Sequence, residues 1–193
     1  PAPATPVDGA SWTLHAKKVY TSTGKVHENA IVVVKDGKIR AISPGVEAPR
    51  NALTAEAITA GMIDASARIN AGQNSGEQSD EITPSIDAAQ SVDLFDPRWA
   101  RLARSGVTTA FVAPLNQNVV GGVGVTVKTA GDVTLEARKV DGASLVCGAI
   151  GSQPSQRNSP AFGRPRSFYN RRPTTRMGVE WEWRRALFEA AQS

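Results

Sequence analysis

Residues 58–70 read ITAGMIDASARIN. An apolar run enters Gly61, the pair Met62 and Ile63 leads into Asp64, and small polar residues stand where a buried strand would open onto a site. Ile58 to Ile63 is therefore expected to be a buried strand. Downstream, Asp96-Pro97 supplies an N-cap followed by proline at the first helical position, with Trp99, Leu102 and Ala103 on one face and Gly106 as a stop. VTTAFVAP, residues 107–114, is the next expected strand. Strand, helix, strand in that order implies a parallel pair and hence an α/β layer.

Upstream the pattern is different. WTLHAKKVYTSTGKVHENAIVVVKDGKIRAISPG holds three short β-branched segments, near residues 12–20, 30–35 and 38–43. Asp36-Gly37 between two alternating runs marks a hairpin, because the primed two-residue turn needs positive φ, which Asp tolerates and Gly allows. A small antiparallel sheet or half-sandwich follows. His15 and His27 are the only histidines. Both read as half-buried or surface residues, since a metal site needs several convergent donors. The first ten residues, PAPATPVDGA, are small and proline-rich. That composition fits a mature N-terminus left by signal-peptide removal, placing the protein in the periplasm or outside the cell, and it equally fits a flexible tail.

VVGGVGVTVKTAG, residues 119–131, carries glycines without the register of a phosphate loop around Lys128, so Gly121, Gly122 and Gly124 are expected at a turn where backbones approach closely. DVTLEARKV and ASLVCGAI read as strands or as strand plus loop. Residues 151–176 form a Pro-, Ser- and Arg-rich arm with no hydrophobic period, in which six arginines interleave with Phe162, Phe168 and Tyr169. The terminal GVEWEWRRALFEAAQS has helical spacing. Val179, Trp183, Leu187 and Ala190 share one stripe, and Trp181 with Phe188 another, the pattern of a core or a subunit interface. It runs out without a glycine stop, as a truncated chain would.

Composition closes off several classes. The net charge of +4 is uneven, arginine dominating from Arg157 onward while acids are frequent between Glu77 and Asp96, so a uniform nucleic-acid footprint is not indicated, and binding of nucleic acid or anionic lipid by the 151–176 arm ranks last among the readings. No apolar run reaches the roughly 18 residues of a membrane span. Cys147, the single cysteine, permits no internal disulfide and no thiolate metal site, and its apolar flanks suggest a buried small residue.

GMIDASARIN closely resembles the amidohydrolase superfamily, whose members enter the first barrel strand through a Pro-Gly-hydrophobic-Ile-Asp-Ala stretch followed by His-x-His. NSGEQSDEITPSIDAAQSVDLFDPRWARLARSGVTTAFVAPLNQNVVGGVGVTVKTAG and RRPTTRMGVEWEWRRALFEA look like secreted, imidazolonepropionase-related members, so the resemblance covers nearly the whole chain. It implies an α/β fold: a flexible tail over 1–10, a β-sandwich portion over 11–57, and the first, incomplete part of a (β/α)8 barrel over 58–193, with the arm at 151–176.

The resemblance also implies where a metal would sit. The two histidines alternate on one strand, so both imidazoles reach one ion. Aligned on Asp64, those positions are Ser66 and Arg68. A hydroxyl is a poor ligand, and a guanidinium has no lone pair to donate and carries its own positive charge. Lys128 is a candidate for the family's carboxylated bridging lysine. An eightfold barrel needs about 250 residues, whereas roughly 130 follow the sandwich portion here.

The expectation is a degenerate amidohydrolase-like protein, catalytically silent and without a cofactor, serving as a structural or accessory subunit. Its partner would be another chain or the missing C-terminal half, met through Trp181, Trp183, Phe188 and the 151–176 arm, because an open sheet edge would otherwise be exposed. The alternative is a hydrolase of carbon–nitrogen bonds in cyclic amides or dipeptides that depends on a divalent metal such as zinc, its remaining ligands supplied by the missing half or another chain.

Overall fold

A computed structural model describes residues 11–67, 69, 77, 80–156 and 172–192. The fold is mixed α/β with two four-stranded sheets, and the chain divides into two units between Ala60 and Gly61.

The first unit is one sheet of β1 (Ser11–Tyr20), β2 (Val26–Lys35), β3 (Lys38–Pro44) and β4 (Leu53–Ile58), in the order β3-β2-β1-β4. β1 and β2, and β2 and β3, pair antiparallel. Asp36 and Gly37 both take positive φ, 52° and 68°, so the turn has the primed geometry that suits the twist of its strands. Ala16, Ala30, Val32 and Val34 are buried together, with Trp12, Leu14 and Ile42 against them. β2 begins at Val26, earlier than its β-branched run suggests, because pairing extends to Tyr20↔Val26. β4 lies parallel to β1 and was not expected as a separate strand. The expected strand Ile58 to Ile63 is two elements: Ile58 closes β4, and β5 (Met62–Ala67) opens the second sheet. Nor is it buried, since Met62 is 56% exposed and Ile63 71%.

The second sheet has the order β5-β6-β7-β8, with β6 spanning Val107–Val112, β7 Val120–Lys128 and β8 Leu145–Gly148. β5 and β6 are parallel, as strand, helix, strand requires. Between them α1 (Pro97–Arg104) starts where the Asp96 carboxylate accepts the Arg98 N–H and stops at Gly106, φ 86°. Arg101 and Arg104 sit in its last turn, where a helix favours cations. Trp99 enters the core against Ala67, Ile69, Ala110, Val112, Val125 and Val127, and its indole N–H donates to the Asp93 carbonyl at 2.8 Å.

β7 and β8 depart from a barrel of parallel strands: β6 with β7, and β7 with β8, are antiparallel. The connection over residues 113–119 is too short for a parallel crossover, which takes a dozen residues or more. β7 is the spine of this sheet. Its leading half meets residues 82–87 as parallel bridges at Ile82↔Val120 and Asp87↔Val123, and its trailing half meets β6. Gly121, Gly122 and Gly124 thus lie within a strand, not at the expected turn. Close approach is nonetheless what they serve: a Cβ on Gly122 would meet the Ile86 carbonyl oxygen, and one on Gly124 the Phe111 ring.

DVTLEARKV resolves into a short helix, α2 (Leu135–Arg138), and a bridge Val127↔Lys139, while ASLVCGAI contains β8. Of the arm, residues 157–171 fall outside the described part; residues 153–156 form the short helix α3 (Gln153–Gln156). The terminal helix α4 (Arg176–Gln192) buries Val179 and half-buries Trp183, whose indole N–H donates to the Ala149 carbonyl at 3.0 Å. Leu187 of the same stripe is exposed, and so are Trp181 and Phe188.

Candidate functional site

Asp64 and Ser66 lie near the C-terminal end of β5, the end where barrel enzymes place their chemistry. Asp64 pairs across with Ala110 and Ala67 with Val112, so three steps along β5 match two along β6. This bulge interrupts the plain alternation on which a His-x-His reading relies. The Asp64 Oδ1 turns back to accept the Ser66 N–H at 2.9 Å, closing a local turn over the irregularity. Beyond it, Ala67 and Ile69 are both buried in the core. The intervening position, Arg68, lies outside the described residues.

Lys128 occupies the last position of β7, exposed, opposite Thr109. Because β7 runs against β6, this is the end of the sheet where β6 begins, whereas Ala67 pairs at Val112, where β6 finishes. Asp64 pairs with Ala110, one position from Thr109 and therefore on the other face of the sheet, and β5 and β7 flank β6 at two strand spacings, roughly 10 Å, so Lys128 and Asp64 do not share a face.

His15 and His27 lie on β1 and β2 of the first unit. The His15 imidazole Nε2 is 2.8 Å from the Asn29 Oδ1. Cys147 is half-buried on β8, its thiol 3.4 Å from the Leu145 carbonyl, and burial pushes its pKa above the ordinary thiol value.

Among the described residues no three His, Cys, Asp or Glu side chains converge. At β5 the donors are one carboxylate already holding a backbone amide and one hydroxyl. That set does not fit a divalent metal, which takes three or four deprotonated or neutral ligands.

Sequence reasoning missed a buried polar cluster beside β7. The Asn118 amide donates to the Glu77 carbonyl at 2.6 Å and lies 3.4 Å from the Thr83 hydroxyl, which donates to the Val120 carbonyl at 3.0 Å. These bonds tie Glu77 and Thr83 to the start of β7 and serve the fold. No local pattern announces them, because the partners are 35 to 41 residues apart in sequence.

No family model matches the chain. Over 179 residues it is 25% identical to Amidohydrolase tasK of Hapsidospora irregularis, covering 86% of this chain and 18% of that protein. In fold it is similar to the crystal structure of an amidohydrolase from Thermotoga maritima MSB8, with a TM-score of 0.69 at 22% identity, covering 93% of this chain and 48% of that one. A weaker likeness, TM-score 0.26 at 17% identity, links 53% of the chain with 25% of A. niger ochratoxinase. The first two likenesses support an amidohydrolase-like fold for this chain. The chain spans about half the length of the solved Thermotoga protein and under a fifth of the Hapsidospora one. No helix among the described residues is long and apolar enough to cross a membrane.

Proposed function

We propose that the chain is a degenerate amidohydrolase-like protein that is catalytically silent by itself and serves as a structural or accessory part of a larger assembly. The observation that carries this reading is the end of β5. Where the resemblance implies two imidazoles, the sequence has Ser66 and Arg68, and the one carboxylate at hand, Asp64, is engaged with the Ser66 amide. An arginine at a ligand position opposes a cation by its charge and offers it no lone pair.

Exposed apolar residues support the assembly. Both outer strands of the second sheet present them, Met62 and Ile63 on β5 and Leu145 and Val146 on β8, and α4 presents Trp181 at 57% and Phe188 at 63% exposure. Such surface favours a covering polypeptide, either another chain or the portion of the amidohydrolase fold that this chain does not span. The test is a hydrolysis panel of cyclic amides and dipeptides with the purified chain, in excess zinc and after chelation. No turnover in either condition is expected; zinc-dependent turnover by the chain alone would overturn the proposal.

The identity with an amidohydrolase favours a second reading, an active hydrolase of carbon–nitrogen bonds whose metal ligands come from a second polypeptide. It predicts chelator-sensitive turnover that requires both components.

A further inference from the structure

We draw no further inference here: the strongest candidate, the exposed apolar face of helix α4 formed by Met177, Trp181 and Phe188, belongs to the surface already proposed for a covering polypeptide, and nothing in the structure shows what else covers it.

Discussion

The backbone N–H of Ser66 donates to the Asp64 carboxylate at 2.9 Å, across a bulge that lets three steps of β5 match two of β6. The hydrogen bond commits the one acidic side chain of this strand end to local backbone. Asp64→Ala removes the acceptor, and water replaces it at this exposed site, so the loss is expected to be modest, about 1 kcal/mol. Denaturant melts of the two proteins check it. A loss of several kcal/mol would mean that Asp64 holds more than its neighbour's amide.

Gly122 and Gly37 have positive φ for different reasons, and alanine separates them. At Gly122, φ 117°, an added methyl would overlap the Ile86 carbonyl oxygen, so Gly122→Ala is expected to cost roughly 2–5 kcal/mol through strain and overlap together. At Gly37, φ 68°, nothing lies within 4 Å, and Gly37→Ala should cost only the left-handed backbone penalty of about 1–2 kcal/mol. Equal losses in urea titration would contradict the placement of β7 against residues 82–87.

These two glycines also show what a sequence can disclose. Asp36-Gly37 was legible because a hairpin turn is local chemistry, and Asp96-Pro97 because capping is too. Gly122 and its neighbours looked like a turn because the partners that demand them, Ile86 and Phe111, are distant in the chain. β4 went unseen for the same reason: its residues are almost wholly exposed, so no apolar alternation marks them, and only pairing with β1 makes them a strand. At the candidate site, Ser66 and Arg68 are marked as the positions of the two histidines by the resemblance alone, and of the two only Ser66 lies among the described residues. The bulge that diverts Asp64 was not legible, since register is a property of two strands.

Asp96 caps α1 and pairs with Arg98, Nη2 to Oδ2 at 2.6 Å. The Arg98 side-chain hydrogen bond holds the Asp96 carboxyl below its ordinary pKa, with burial opposing and the Arg98 amide reinforcing the shift. A carboxyl lowered in the folded state adds stability that is fully present above its unfolded value and is lost as pH falls through the folded one. Asp96→Ala should therefore cost about 1 kcal/mol at neutral pH and progressively less below roughly pH 4. Thermal melts at pH 7 and pH 3 test this, and a cost independent of pH would refute it.

Trp183 and Trp181 stand two residues apart on α4 and should respond differently. Trp183→Phe deletes the indole donor to Ala149, with an expected loss of roughly 1–2 kcal/mol. Trp181 is exposed beneath the Arg185 guanidinium, 5.0 Å from the ring centroid, so Trp181→Ser is expected to cost under about 1 kcal/mol. If Trp181 and Phe188 meet a covering polypeptide, Trp181→Ser with Phe188→Ser should weaken association at unchanged monomer stability. Sedimentation of the assembly, beside denaturant melts, reads both quantities.

Burial of Cys147 raises its thiol pKa, so labelling by a thiol reagent at pH 8 should be slower than for a free thiol, keep rising with pH after a free thiol's rate has levelled off, and recover in denaturant. A folded protein labelled as fast as the denatured one would contradict this environment.

The most direct test of a silent, assembly-bound amidohydrolase-like chain is native mass spectrometry of the isolated protein, with metal content measured on the same sample. The account predicts association with a second polypeptide and no stoichiometric metal on this chain. A lone chain carrying one equivalent of zinc, with hydrolysis that chelation abolishes, would contradict it.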